Sequence, residues 1–99
     1  MSYAIEFAES VRAQLRRLSA RQRSIVFDAI ENRLRDEPFK ETRHRKPLRP
    51  NPLAPWELRI GEIRVFYGVE ASRANVVSVL AVGIKRRNRL LIAGKEVEL

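Results

Sequence analysis

Between Trp56 and Tyr67 the chain alternates apolar and polar residues on either side of Gly61-Glu62, the pattern of two β-strands joined by a two-residue turn. In that register Trp56 faces Tyr67, Leu58 faces Val65 and Ile60 faces Ile63, so all of these side chains share one apolar face. The other face carries Glu57, Arg59, Arg64 and Phe66, with Arg59 directly opposite Arg64. Like charges opposed across a strand pair are destabilising, and a fold tolerates them most easily when an anion sits between them. The hairpin is therefore expected to serve a sheet core on one side and a phosphate or carboxylate on the other.

Further cations follow in two groups. Lys85, Arg86 and Arg87 come directly after an apolar run and Gly83-Ile84, and Arg43, Arg45, Lys46 and Arg49 fall between Phe39 and Pro55. The whole chain of 99 residues has 20 Lys and Arg against 12 Asp and Glu, a formal charge of +8, and most of the cations are arginines. A guanidinium fork matches phosphate better than an ammonium point charge does. Nucleic acid, a ribosome or an acidic protein are the partners such a surface favours, the plainer alternative being an arginine-rich but ordinary solvated surface. There is no cysteine and only one histidine, His44, so a disulfide framework and Cys-ligated zinc are excluded and no metal or cofactor is expected.

Several elements must position these groups. Tyr3–Phe7 alternates as a short strand, and Ala8–Leu18 has Val11, Leu15 and Leu18 at helical spacing. Ser19 and Gln22 fit a capping box that opens a second helix, running to about Asp36 and stopped by Pro38. Phe39–Pro55 reads as a long basic loop stiffened by Pro47, Pro50, Pro52 and Pro55. After the hairpin, Glu70–Ala74 is a turn. Asn75–Val82 is then a nearly continuous apolar strand, hence central and covered on both faces. The tail Leu90–Leu99 turns at Gly94 and adds a small edge strand. The predicted fold is a single α+β domain over residues 1–99, order β-α-α-β-β-β, with two N-terminal helices packed on a three- to four-stranded antiparallel sheet. No signal peptide or membrane span is recognisable, so a soluble cytoplasmic protein is expected.

With this element order, the stretches Trp56–Tyr67 and Val79–Arg87 resemble the RelE/ParE toxin superfamily over essentially the whole chain. The resemblance implies the toxin of a type II toxin–antitoxin pair, neutralised by an acidic cognate antitoxin. RelE-like members cleave mRNA in the ribosomal A site, using the substrate's 2′-OH as nucleophile, whereas ParE-like members act on DNA gyrase. Arg64 matches the arginine of the family's Arg-x-x-Tyr strand and so is expected at the scissile phosphate. Arg59 falls where RelE-like enzymes place the second of two lysines, keeping the charge but not the ability to lose a proton.

Glu57 replaces the first of those lysines. It is either a general base, as in other branches of the superfamily, or a counter-ion for Arg59 or Arg64. Among Lys85, Arg86 and Arg87, Arg86 is the expected further phosphate contact. The tyrosine or histidine that often follows has no equivalent, since Leu90, Leu91 and Ile92 fill that region. The expected function is thus a ribosome-dependent mRNA endonuclease with Arg59, Arg64 and Arg86 as phosphate clamp, Glu57 as base, and Arg43, Arg45, Lys46, Arg49, Lys85 and Arg87 binding RNA. Gyrase inhibition without nuclease activity, or an inactive toxin fold, are the alternatives.

Overall fold

The computed structural model describes residues 2–69, 73 and 75–99; the turn expected over 70–74 lies, apart from Arg73, outside them. The chain runs β1 (Ala4–Phe7), α1 (Val11–Arg16), α2 (Ala20–Arg33), β2 (Arg45–Pro47), β3 (Trp56–Ile60), β4 (Ile63–Val69), β5 (Val76–Arg86), β6 (Arg89–Ile92) and β7 (Lys95–Val97). Two helices therefore lie on one sheet, as expected, but the sheet has seven strands rather than three or four and is not wholly antiparallel. The antiparallel path is β2-β3-β4-β5-β6-β7, and β1 pairs in parallel with the first part of β5, Ala4 opposite Val76 through Phe7 opposite Val79. The length of β5, eleven residues, makes this possible: β1 takes its first four and β6 its last three. Among the described residues no helix is long and apolar enough to cross a membrane.

The helices start and stop for local reasons the sequence shows and tertiary ones it does not. The Ser19 hydroxyl accepts from the Gln22 amide (3.1 Å) and the Gln22 side chain accepts from the Ser19 amide (2.8 Å), the reciprocal capping box. Ser19→Ala is expected to cost about 1 kcal/mol, a fall in melting temperature of about 4–8 °C, readable in a thermal melt. Helix α1 is shorter than expected because the Ala8 amide is still bonded to the Val79 carbonyl of β5 (2.8 Å). At the far end of α1, Arg23 donates to the Leu18 carbonyl (2.6 Å). Helix α2 ends at Arg33 instead of Asp36: the Arg45 guanidinium donates to the Arg33 carbonyl (2.8 Å), and the Arg35 carbonyl is taken by the Tyr3 amide of the chain entering β1 (2.6 Å).

The helix-side face of the sheet, with Leu58, Ile63, Val65, Val77, Val79 and Val82, buries Val11, Leu18, Val26, Ile30 and Leu34 in the main core. Tyr67 anchors an aromatic group with Phe39 and Trp56, ring centroids 6.2 and 6.3 Å away. Its hydroxyl donates to the Pro38 carbonyl (2.5 Å). Burial pushes the phenol's pKa well above the ordinary tyrosine range, with the Arg45 charge pulling more weakly the other way. Because the folded pKa is raised, the neutral phenol's contribution is complete below about pH 10 and is lost as pH rises past that value. Tyr67→Phe is expected to cost about 1 kcal/mol at neutral pH by stranding the Pro38 carbonyl, and to soften the alkaline loss of stability in urea melts taken across that range.

The other face of the sheet is covered as well, so β5 is central on both sides as expected. Phe66, Ala81, Leu90, Ile92 and Ala54 form a second small core beneath Leu48, Leu53 and Val97. Two segments make that cover. Asn51 folds residues 48–55 over the sheet by accepting from the Leu53 and Ala54 amides (2.8 and 3.0 Å), and the tail forms the hairpin β6–β7 rather than a single edge strand. Gly83 lets β6 ride this close, since a Cβ there would lie 2.6 Å from the Leu91 carbonyl oxygen.

Candidate functional site

The β3–β4 hairpin has the register read from the sequence: Trp56 opposite Tyr67, Leu58 opposite Val65, Arg59 opposite Arg64 and Ile60 opposite Ile63. The anion needed between the opposed arginines comes from the same hairpin. Glu57 Oε1 is 3.1 Å from Arg64 Nε and its Oε2 is 3.4 Å from Arg59 Nε. Glu57 is 5% exposed, the one buried charged residue among those described. A carboxylate leaves water at a cost unless it is paired, and here two guanidiniums pair it.

The two arginines are held differently. Arg64 is mostly buried, and its Nη1 donates to the Gly61 carbonyl (2.6 Å) and the Ile63 carbonyl (3.0 Å), so the turn itself aims the side chain. Its Nε is buried beside Glu57 at ion-pair distance but in poor line for a hydrogen bond. Arg59 is half exposed and its side chain has, among the described residues, only the Glu57 ion pair, so it is the freer cation of the pair.

Strand alternation decides which other cations join this face. Arg64 pairs with Gly83 and Phe66 with Ala81, so Lys85, two residues beyond Gly83, shares their face. Arg86 projects from the opposite face, where it is 3.4 Å from the Glu62 carboxylate. Strand alternation puts Lys85, rather than the expected Arg86, on the face of Arg64, because β5 continues in register through Ile84 to Arg86. Lys85 borders, with Glu57, Phe66, Arg89 and Glu96, a concavity of about 600 Å³. Arg87 is in the β5–β6 turn with a positive φ of 51°, and Arg89 is paired with Glu96 (2.8 Å).

The basic segment divides likewise. It is not all loop, because residues 45–47 form β2, where Lys46 is opposite Glu57 and thus on the same face of the sheet. The Lys46 ammonium is 3.7 Å from Glu41. Arg45 faces the other way and is committed to the Arg33 and Lys40 carbonyls (2.8 and 3.1 Å), a helix-capping role. Arg43 and Arg49 are exposed and lie outside β2. His44 gives its carbonyl to the Arg59 amide (2.8 Å), and its ring lines a separate groove with Arg59, Asp28 and Asn32. Phe66, which shares the polar face of the hairpin, is fully buried.

The result is a face carrying Lys46, Arg59, Arg64 and Lys85 around the buried carboxylate of Glu57. Two guanidiniums opposed across one strand pair suit a phosphate. A carboxylate can accept a proton and an ammonium group can give one, which a guanidinium cannot.

Neither a protein-family model nor a curated protein matches the chain in sequence. Solved structures do match. One is a chain of the toxin–antitoxin complex RelBE2 from Mycobacterium tuberculosis, with a TM-score of 0.71 and 26% identity over 86% of this chain and 100% of that one. Another is a chain of the archaeal RelE–RelB complex from Pyrococcus horikoshii OT3, with a TM-score of 0.68 and 20% identity over 88% of this chain and 99% of that one. The resemblance read from Trp56–Tyr67 and Val79–Arg87 therefore holds in three dimensions: the chain has the fold of chains from RelE–RelB toxin–antitoxin complexes.

Proposed function

We propose that this chain is the toxin of a type II toxin–antitoxin pair, held in check by an acidic antitoxin, and that it cleaves ribosome-bound mRNA in the cytoplasm on the Glu57–Arg64 face. One observation supports the reading: two arginines stand directly opposed across the strand pair with the Glu57 carboxylate between them, an arrangement that suits an anion such as phosphate. An incoming phosphodiester engages Arg59 and Arg64 and releases the carboxylate from them. The freed Glu57 accepts the 2′-OH proton as the 2′ oxygen bonds to phosphorus. The bond from phosphorus to the 5′ oxygen breaks, and that oxygen takes a proton from Lys46 or Lys85. The guanidiniums meanwhile bear the extra charge of the phosphorane. Exposed cations such as Arg43, Arg49 and Arg87 add the non-specific attraction to ribosomal RNA.

A ParE-like inhibitor of gyrase is the second reading, favoured by the tight engagement of Glu57 with both arginines and by a face without histidine or accessible tyrosine. Induction in growing cells separates the two. Arrest of protein synthesis without DNA breaks supports the RNA target, and DNA breaks with translation intact would reverse the choice. Within the RNA reading, Lys85→Ala is expected to weaken growth inhibition at least about tenfold, and Arg86→Ala to leave it unchanged.

A further inference from the structure

We propose that the groove at the β2–β3 edge of the sheet, between α2 and the chain around His44 and Arg59, is a subsite that reads a guanine base of the RNA strand, next to the phosphate engaged by Arg59 and Arg64. The groove has a volume of about 710 Å³ and is lined by Ile25, Asp28 and Asn32 of α2 and by His44, Arg59 and Ile60. Asp28 and Asn32 stand one turn apart on α2 and so share one stripe of it. Across from them the Arg59 amide donates to the His44 carbonyl (2.8 Å), which extends the β2–β3 pairing by one step and sets the two residues side by side. Arg59 therefore belongs to both places. It pairs with Glu57 on the hairpin face (3.4 Å) and lines the groove around the edge.

The polar groups of the groove say what it takes. Asp28 has no ion pair among the described residues, although Arg33 and Arg59 line the same groove. A bare phosphate or an acidic peptide meets the Asp28 carboxylate, and a cationic ligand meets the arginines. A ligand that carries its own phosphate and also presents N–H donors satisfies both. Among the bases, guanine sets two N–H donors side by side on its Watson–Crick edge, N1–H and the 2-amino group, matching the two oxygens of a carboxylate. Adenine and cytosine offer one amino group beside an acceptor, and uracil one N–H between two carbonyls. Ile25, 40% exposed, and the His44 ring give a flat base surfaces to lie against.

This role rests on the RNA-cleaving reading and adds a sequence preference to it. Phosphate contacts fix the register of a strand and carry no sequence information, whereas base edges do. Arg59 and Arg64 hold the backbone on one face, and a neighbouring base turns around the sheet edge to Asp28. The concavity bordered by Glu57 and Lys85 shares no lining residue with this groove, so proton transfer and base reading fall to different side chains.

The test is an NMR titration of the full chain with three 2′-O-methyl dinucleotides, each measured in both base orders. Each has a single phosphate, which fixes what the arginines hold, and no 2′-OH nucleophile, so cleavage plays no part. Uracil is joined to guanine, to hypoxanthine (which keeps N1–H but lacks the 2-amino group) or to adenine. In one of the two orders the guanine dinucleotide is expected to bind at least about tenfold tighter than the adenine one, with hypoxanthine between them. Asp28→Asn is expected to bring guanine down to the adenine level. Glu31→Gln, which removes a carboxylate from α2 outside the groove, is expected to keep the preference. His44→Ala is expected to weaken all three alike, since stacking tolerates every base. Equal binding of the three by the wild type, a preference that survives Asp28→Asn, or one that Glu31→Gln also abolishes overturns the proposal, as does binding of none of them. Cleavage is read separately from mRNA ends, so codon-phased ends without a base preference discard the guanine subsite and leave the nuclease reading standing.

Discussion

Arg64→Ala should lose growth inhibition almost completely while the protein remains folded. Arg64 is the arginine whose position is most tightly prescribed: the Gly61 and Ile63 carbonyls hold its Nη1, and Glu57 lies beside its Nε. A donor fixed in advance at the place where negative charge develops needs no reorganisation at the moment of reaction, and removing one such donor costs about 100- to 1000-fold in rate. Arg64→Lys keeps the charge but not the fork, so activity between the two is expected. Stability changes less than activity, because Arg59 still pairs with Glu57. A melt alongside the growth assay separates the two effects: an inactive Arg64→Ala chain that is also unfolded would say nothing about phosphate, which is why Arg64→Lys is measured with it.

Glu57→Ala should have the largest effect on stability. It removes the carboxylate between Arg59 and Arg64 and leaves two guanidiniums directly opposed. Breaking a buried pair costs about 3–5 kcal/mol when the orphaned charge is fully enclosed. Arg59 is half exposed and Arg64 only mostly buried, so about 2–3 kcal/mol is the better expectation after allowing for solvent. If Glu57 stands where a phosphate binds, inorganic phosphate should refill the gap. The melting temperature of Glu57→Ala is expected to rise with added phosphate more steeply than that of the wild type. Identical phosphate dependence in the two chains would mean that the arginines do not form a phosphate clamp. Activity should fall as well, by about 100-fold or more for loss of a general base, and phosphate should not restore it.

The parts of this arrangement that were readable in the sequence are those with local causes. The hairpin register follows from strict alternation around Gly61-Glu62, and the start of α2 from Ser19 and Gln22, so each signal lies within a few residues of its effect. The cluster of Glu57, Arg59 and Arg64 comes with the hairpin. What was missed has non-local causes. β2 is hidden by prolines, yet Pro47 is tolerated at the end of an edge strand, and only pairing with β3 makes Arg45–Pro47 a strand at all. That pairing puts Lys46 beside Glu57 and sends Arg45 to cap α2.

The exchange of Arg86 for Lys85 has a different origin. The apolar run ends at Val82, but β5 runs four residues further because β6 returns to pair with it. Counting alternation on from Gly83 would have put Lys85 on the Arg64 face. The turn that brings β6 back uses positive φ at Arg87 and Asn88, and the next one uses Ala93 and Gly94. Only asparagine and glycine advertise that conformation, so the tail hairpin was half concealed. The fate of Phe66 depends on that hairpin and on residues 48–55 together, which no local pattern reveals.

The most direct test of the central claim is to add the purified chain to a translating extract and map mRNA 5′ ends, with Arg64→Ala in parallel. New ends in phase with codons, dependent on ribosomes and absent with Arg64→Ala, are what a phosphate clamp on the Glu57–Arg64 face requires. Intact mRNA, or the same ends from the Arg64→Ala chain, would contradict it.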